Sequence, residues 1–357
     1  MSHTAKNLTD DILINILSRL PTKSLCRFLC VTKAWHNLIS DTYFQAQRPP
    51  TMTGLLYHFR DKSWNINNGY ISVPSYNHGF IDTVLSFLSY PGNIQILDSC
   101  NGLLLCRFWD TPYSLSPDVC VCNPTARSWT LLPNLKLSTY NSLYLAFDPN
   151  VSPYFTLVRL QLKQESLCVE VDKFSSQTNS WTKIQVSAKD NILTYLYRIV
   201  HMDGCRKLCR VYLNGIIYMV AGTKHMVCID LESMVCDKVI EMPEAKSMMM
   251  KEVIGKSEGS LHLALKEKKG IKIWMLKDYE KSEWVLKYSI GLELVFDHLL
   301  PFHPDMDIVF LRMKDKIMSC KMSNGELKEV CELSQRTMQW VLVFSPFFGQ
   351  DVLENKN

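Results

Sequence analysis

The chain has 357 residues, 47% of them hydrophobic, which is ample for one large domain or two with a substantial core. A formal net charge of only +4 leaves no strong basic stripe of the kind nucleic-acid binding requires. The 13 cysteines are odd in number and form no CxxC pair, which argues against a disulfide framework or paired-cysteine zinc site and fits reduced thiols in the cytoplasm or nucleus.

At the start, Asn7, Thr9, Asp10 and Asp11 precede the first apolar run, so no secretory signal is expected. No apolar run anywhere approaches the length of a membrane span. The stretch Leu8–Phe44 is dense in apolar side chains, 19 of 37 with Ala34 and two cysteines included. Thr9 is placed to cap a first helix, and Asp10 and Asp11 put negative charge in its first turn, where the helix dipole favours it. Ile12, Leu13, Ile16, Leu17 and Leu20 recur at helical spacing in one broad stripe, with Ile14 off it. Pro21 stops the helix, because the residue before a proline is pushed out of helical conformation. Thr22 can cap a second short helix with Leu25, Phe28 and Leu29, and a third carries Val31, Trp35 and Leu38. So short a segment buries too little to be stable alone, and its surplus apolar surface needs a second surface. Residues 1–48 also hold six Lys/Arg against three Asp, which suits an acidic partner face or an ordinary solvated helix face.

Taken in order, Leu8, ILxxILSRLP, KSLxRFxCVxKxWxxLIS and Phe44 resemble an F-box over residues 1–48. The resemblance implies helices that dock on the Skp adaptor of a Skp–cullin–F-box ubiquitin ligase. It assigns Leu8, Ile12, Ile16, Leu20, Pro21, Leu25, Phe28, Val31 and Trp35 to that interface or to the small core behind it. One departure is Thr9, where the family usually carries a proline.

Arg48-Pro49-Pro50-Thr51 reads as a short stiff linker, after which helical periodicity gives way to short runs of Val, Ile, Leu, Tyr and Phe between turn residues. A unit repeats: a hydrophobic strand, a polar turn, then a large apolar residue opening the next strand. It ends at Trp129, Trp181, Cys236, Trp284 and Leu327, spacings that suit four-stranded propeller blades. Gly102, Gly215 and Gly259 mark tight turns before inner strands. A sixth blade would close by joining Trp340–Phe344 to Leu55–Phe59 and Tyr70–Val73, removing open edges. The expected fold is therefore a few N-terminal helices followed by an all-β domain over residues 49–357. A β-propeller of about six blades is the first choice for that domain, and a two-sheet sandwich is the alternative.

DSCNGLLLC at Asp98–Cys106, CNPTARSW at Cys122–Trp129, LAFDP at Leu145–Pro149, VYLNGIIYMV at Val211–Val220, VCIDLES at Val227–Ser233 and IKIWMLKDYEKSEW at Ile271–Trp284 extend the comparison. They resemble the F-box-associated, kelch-like propeller domain that follows many plant F-boxes. Cys122 stands where that family has Trp, and Met219 where it has an aromatic.

Catalytic signals are thin. Gly255-Lys256-Ser257 ends like a phosphate loop, but Met250 stands where that motif needs Gly. His201, Cys205 and Cys209 would line up on a helix as zinc ligands; the alternative is a turn before a strand at Arg210–Leu213. Trp129, Trp181, Trp274 and Trp284 suit either core packing or sugar stacking. No HExxH or GxSxG is present. The expectation is a non-catalytic adaptor without cofactor or metal, gripping the Skp adaptor and through it cullin, and presenting a protein substrate; long connections at Phe108–Asp118 and Lys189–Arg206 are candidate contact loops. A propeller carbohydrate binder or hydrolase with packed N-terminal helices is the rival.

Overall fold

A computed structural model describes residues 9–20, 22–41, 43–44, 52–61, 66–73, 82–83, 85–88, 93–109, 118–133, 135, 141–163, 168–187, 191–202, 210–222, 224–243, 252–292, 295–333, 338–349 and 353. Three short helices come first: α1 (Asp10–Ser18), α2 (Thr22–Phe28) and α3 (Lys33–Ser40). Short alternating strands then build a six-bladed β-propeller.

Blade 1 holds β1 (Gly54–Arg60) and β2 (Ile66–Ser72), completed from the far end of the chain by β24 (Met338–Phe344). Blade 2 is β3 (Asn93–Cys100), β4 (Leu103–Trp109), β5 (Asp118–Asn123) and β6 (Ser128–Leu131). Blade 3 is β7 (Asn141–Ala146), β8 (Thr156–Lys163), β9 (Cys168–Ser175) and β10 (Ser180–Lys183). Blade 4 is β12 (Arg210–Leu213), β13 (Ile216–Val220), β14 (His225–Asp230) and β15 (Val235–Glu241), extended by a short parallel strand, β11 (Gln185–Val186). Blade 5 is β16 (Glu252–Ser257), β17 (Ser260–Glu267), β18 (Gly270–Asp278) and β19 (Glu283–Gly291). Blade 6 is β20 (His298–Phe302), β21 (Ile308–Met313), β22 (Lys316–Lys321) and β23 (Leu327–Glu332).

The apolar core is divided into six layers, each lying between two neighbouring blades. A single blade has two apolar faces and can hide neither alone, so the ring is the smallest arrangement that buries them all. Blade 1 closes the ring as the sequence suggests: β1 pairs antiparallel with β24, Gly54 opposite Phe344. Cys122 and Met219, the two departures from the resembled pattern, are both buried. Sulfur fills the first position, with Cys122 Sγ lying 3.9 Å from Cys106 Sγ.

The turns explain why the repeat is regular. Asn101-Gly102, Asn214-Gly215 and Glu258-Gly259 have positive φ at both residues, the geometry that matches the twist of two adjoining strands. The outer hairpins repeat a second device. Arg127, Asn179, Met234, Ser282 and Gly325 all take positive φ at the end of the turn. Where the turn opens, the side chain of Asn123, Asp230 or Asp278 accepts backbone amides two or three residues on.

The long connection Lys189–Arg206 contains a helix, α4 (Ile192–Met202). Ile192, Leu196, Ile199 and Val200 face the layer between blades 3 and 4 and are buried there. Their spacing is helical, and the stretch was masked by its resemblance to the strand-rich sequence around it.

Two measurements follow. Gly102 has φ +93°, and a Cβ there would sit 2.6 Å from Phe347 N and 2.7 Å from Ser345 O. Gly215 has φ +81° but open space around it. Gly102→Ala should cost about 3 kcal/mol and Gly215→Ala about 1 kcal/mol in urea unfolding. The second concerns acid. Burial pushes His303 down to about 4, and lowers His262 and His298. Between that value and the unfolded value of about 6.5 the unfolded chain binds the extra proton, so stability falls as pH drops through this window. Urea midpoints at pH 7 and 4.5 should differ less in His303→Gln than in the wild type.

Candidate functional site

Helix α1 begins at Thr9, whose carbonyl accepts Ile12 N and Leu13 N, each at 3.1 Å. Its side chain makes no capping bond, unlike Thr32, whose Oγ1 accepts Trp35 N at 3.1 Å and starts α3. The helices close a small core of Leu17, Leu25, Ile39 and Phe44, with Phe28 edge-on to Trp35 at 5.0 Å.

That core covers only part of the apolar stripe on α1. Leu17 points inward, whereas Ile16 and Ile12 stand about 100° and 140° round the helix from it, given 100° per residue. Both face outward, 46% and 47% exposed. Val31, in the turn between α2 and α3, is 56% exposed, as is Tyr43 beyond α3. Of the residues assigned from sequence, Ile12, Ile16 and Val31 are thus on the surface. Leu20, Phe28 and Trp35 are half-buried against the core, and Leu25 is sealed inside it. Leu8 and Pro21 lie outside the described residues. Tyr43 carries no periodic signal in the sequence.

On the propeller axis the inner strands enclose a cavity of about 160 Å³. A polar bridge lies across it. Arg210 of blade 4 donates to Leu97 O of blade 2 at 2.9 Å, stands 3.4 Å from the Asp98 carboxylate, and lies over the Tyr144 ring of blade 3 at 4.8 Å. Asp98 also accepts Ser99 N and Leu145 N, so one carboxylate joins β3 to β7 and to β12. Burial pushes the Cys100 thiol beside it up to about 12, which keeps it protonated and unreactive at neutral pH. The cavity wall is accordingly a cross-link between blades.

Other sequence candidates disperse. Gly255, Lys256 and Ser257 lie within strand β16, with Ser257 Oγ donating to Met306 O at 3.0 Å, so they form no phosphate loop. His201 sits on α4 against Tyr197, and Cys205 and Cys209 lie outside the described residues. Trp129, Trp181 and Trp284 open the outermost strands of blades 2, 3 and 5 and pack towards the preceding blade. Trp274 lies on β18 instead, in the same layer as Trp284. Arg159 covers Trp181 at 4.7 Å, and Trp284 Nε1 donates to Glu241 O at 3.1 Å. These four rings are distributed among three inter-blade layers and make no common platform for a sugar.

The two rims of the ring differ. Turns from first to second and from third to fourth strand share one rim, together with the entry at Met52–Gly54 and the exit after Phe344, and are short except between β7 and β8, where residues 147–155 intervene. The other long connections share the opposite rim, including that between β4 and β5 and that holding α4.

Comparison with known proteins adds the following. A family model described as F-box domain matches residues 6–46, and one described as F-box associated beta propeller domain matches residues 55–316. Putative F-box protein At5g42430 of Arabidopsis thaliana is 24% identical over 346 residues, which is 90% of this chain and 80% of that protein. F-box protein At5g49610 of the same organism is 26% identical, covering 80% of this chain and 79% of its own length. F-box protein At5g07610, also from Arabidopsis thaliana, is 29% identical over 49% of this chain, and this chain covers 44% of it. Among solved structures, Porphyromonas gingivalis dipeptidyl peptidase 4 gives a TM-score of 0.42 at 8% identity over 78% of this chain and 44% of its own. SapL1 lectin in complex with alpha methyl fucoside gives 0.39 at 9% identity over 80% of this chain and 97% of its own. At such scores neither structure bears on what this chain does.

The Arg210 bridge yields a prediction. Arg210→Met leaves the buried Asp98 carboxylate without its counter-charge and should cost about 3 kcal/mol in urea unfolding. Adding Asp98→Asn should recover part of that loss, because the uncompensated charge is then gone.

Proposed function

We propose that this chain, which belongs to the F-box associated beta propeller domain family, is the substrate-recognition subunit of a Skp–cullin–F-box ubiquitin ligase in the cytoplasm or nucleus. The helices grip the Skp adaptor, and cullin is reached through it. The propeller holds a protein substrate. The observation that carries this reading is the outward placement of Ile12, Ile16 and Val31 on a helical unit whose Leu17, Leu25, Ile39 and Phe44 are sealed inside. Three large aliphatic groups in water have no structural purpose in a packed cap, since burial inside the chain would stabilise it by roughly 1.5–3 kcal/mol for each. A second polypeptide laid over them supplies that burial.

Under this reading the chain contributes no reacting group. Its effect is proximity: tethering raises the effective concentration of a substrate lysine near activated ubiquitin. The rim carrying the longer connections points away from the helices and offers the surface on which specificity can vary without disturbing the blades.

The test is a binding measurement with purified Skp adaptor. Ile16→Asp and Val31→Asp should each weaken the complex by at least about 30-fold, the scale of a 2 kcal/mol interface hot spot. The propeller's unfolding midpoint should stay unchanged in both. Undiminished binding by the double variant would refute the assignment.

A further inference from the structure

The core of the three helices is not built from residues 9–44 alone. After β24 ends at Phe344, the chain crosses the tight-turn rim through Ser345, Phe347 and Phe348, all of them buried. The two phenylalanines enter different cores. Phe347 joins the layer between blades 2 and 3, edge-on to Phe147 at 5.1 Å and 78°. Phe348, only 2% exposed, enters the helical core beside Leu17, Leu25, Ile39 and Phe44.

Consecutive side chains in extended backbone point to opposite sides, so one dipeptide can join two bodies. The backbone between them is fixed as well. Asn123 Nδ2 donates to Phe347 O at 3.0 Å and to Gly349 O at 3.1 Å. Gly102 provides the space beneath, since a side chain there would strike Phe347 and Ser345. The same segment begins at the seam where Ser99 Oγ donates to Val343 O at 2.7 Å, so it starts from a place that cannot shift without opening the ring.

We infer that Phe348 is a positioning residue for adaptor docking: it completes the helical core from the propeller side and holds the outward face of Ile12, Ile16 and Val31 at a fixed orientation to the ring. The docking part of this inference rests on the proposed function, whereas the coupling of helices to propeller does not. A helical unit of this size has too little interior to organise itself, so it borrows order from the ring through Phe348. The distance between the adaptor and the opposite rim is then set by packing and not by a flexible linker, which is what proximity chemistry needs.

Hydrogen exchange on the full-length chain, without adaptor, tests the coupling. Phe348→Ala should speed exchange of amides in residues 10–18 and 33–40 by about 10-fold or more, with blades 3 to 5 unchanged. Phe348→Leu should restore most of the protection. Unchanged exchange in the helices, or acceleration spread evenly over the propeller, would overturn the inference. With purified Skp adaptor, Phe348→Ala should bind about 10-fold more weakly than wild type. Equal affinity would remove the positioning role and leave the proposed function standing. If the wild-type chain fails to bind, the proposed function falls, and the exchange experiment still decides whether Phe348 couples the two parts.

Discussion

Pairing of β24 with β1 is the constraint on which the rest of the molecule depends. It brings a strand from beyond residue 337 back beside the first strand of the ring, and so removes the free edges an open array of blades would expose. Every apolar layer between blades requires that closure, because each blade lends one face to each neighbour. The axial bridge requires it too. Arg210 reaches from blade 4 to blade 2 only when the inner strands stand around a common axis at a fixed radius. The exit from β24 also delivers Phe347 and Phe348 to the rim where the helices sit.

The helices show a second constraint, a mismatch between supply and demand for apolar contact. Leu17, Leu25, Ile39 and Phe44 fill the interior that three short helices can enclose. Ile12, Ile16 and Val31 are left over. In a segment under selection only for its own stability such residues gain nothing in water. Their placement on α1 and on the turn after α2 is the physical basis of the proposed docking, and it is independent of the motif that first suggested it. The most exposed apolar groups on the propeller, Val151 and Val295, lie singly on connecting segments.

Much of this was legible in the sequence because the propeller is written in short-range signals. Hydrophobic strand, polar turn and opening apolar residue recur in one hairpin of each of blades 2 to 6, and each marked hairpin is the third-to-fourth turn of a sheet. The asparagine or aspartate that opens several of those turns is a local signal of the same kind. Closure by residues 340–344 could be argued because an unpaired final strand has an obvious partner in an incomplete first blade. Helix α4 was missed because Ile192, Leu196, Ile199 and Val200 sit among Tyr and Leu residues that suit a strand equally well. Arg210, Asp98 and Phe348 were out of reach for another reason. Their partners lie 113, 47 and more than 300 residues away, and no local pattern records a contact of that range. The α1 stripe did not record the division of its residues between core and surface, which depends on how α3 crosses it.

The most direct measurement of the central claim is a hydroxyl-radical footprint of the full-length chain with and without purified Skp adaptor, read residue by residue. The account predicts that labelling of Ile12, Ile16 and Val31 drops several-fold on complex formation while Val151 and Val295 remain as reactive as before. Undiminished labelling of Ile12 and Ile16 in a formed complex, or no complex at all, would contradict it.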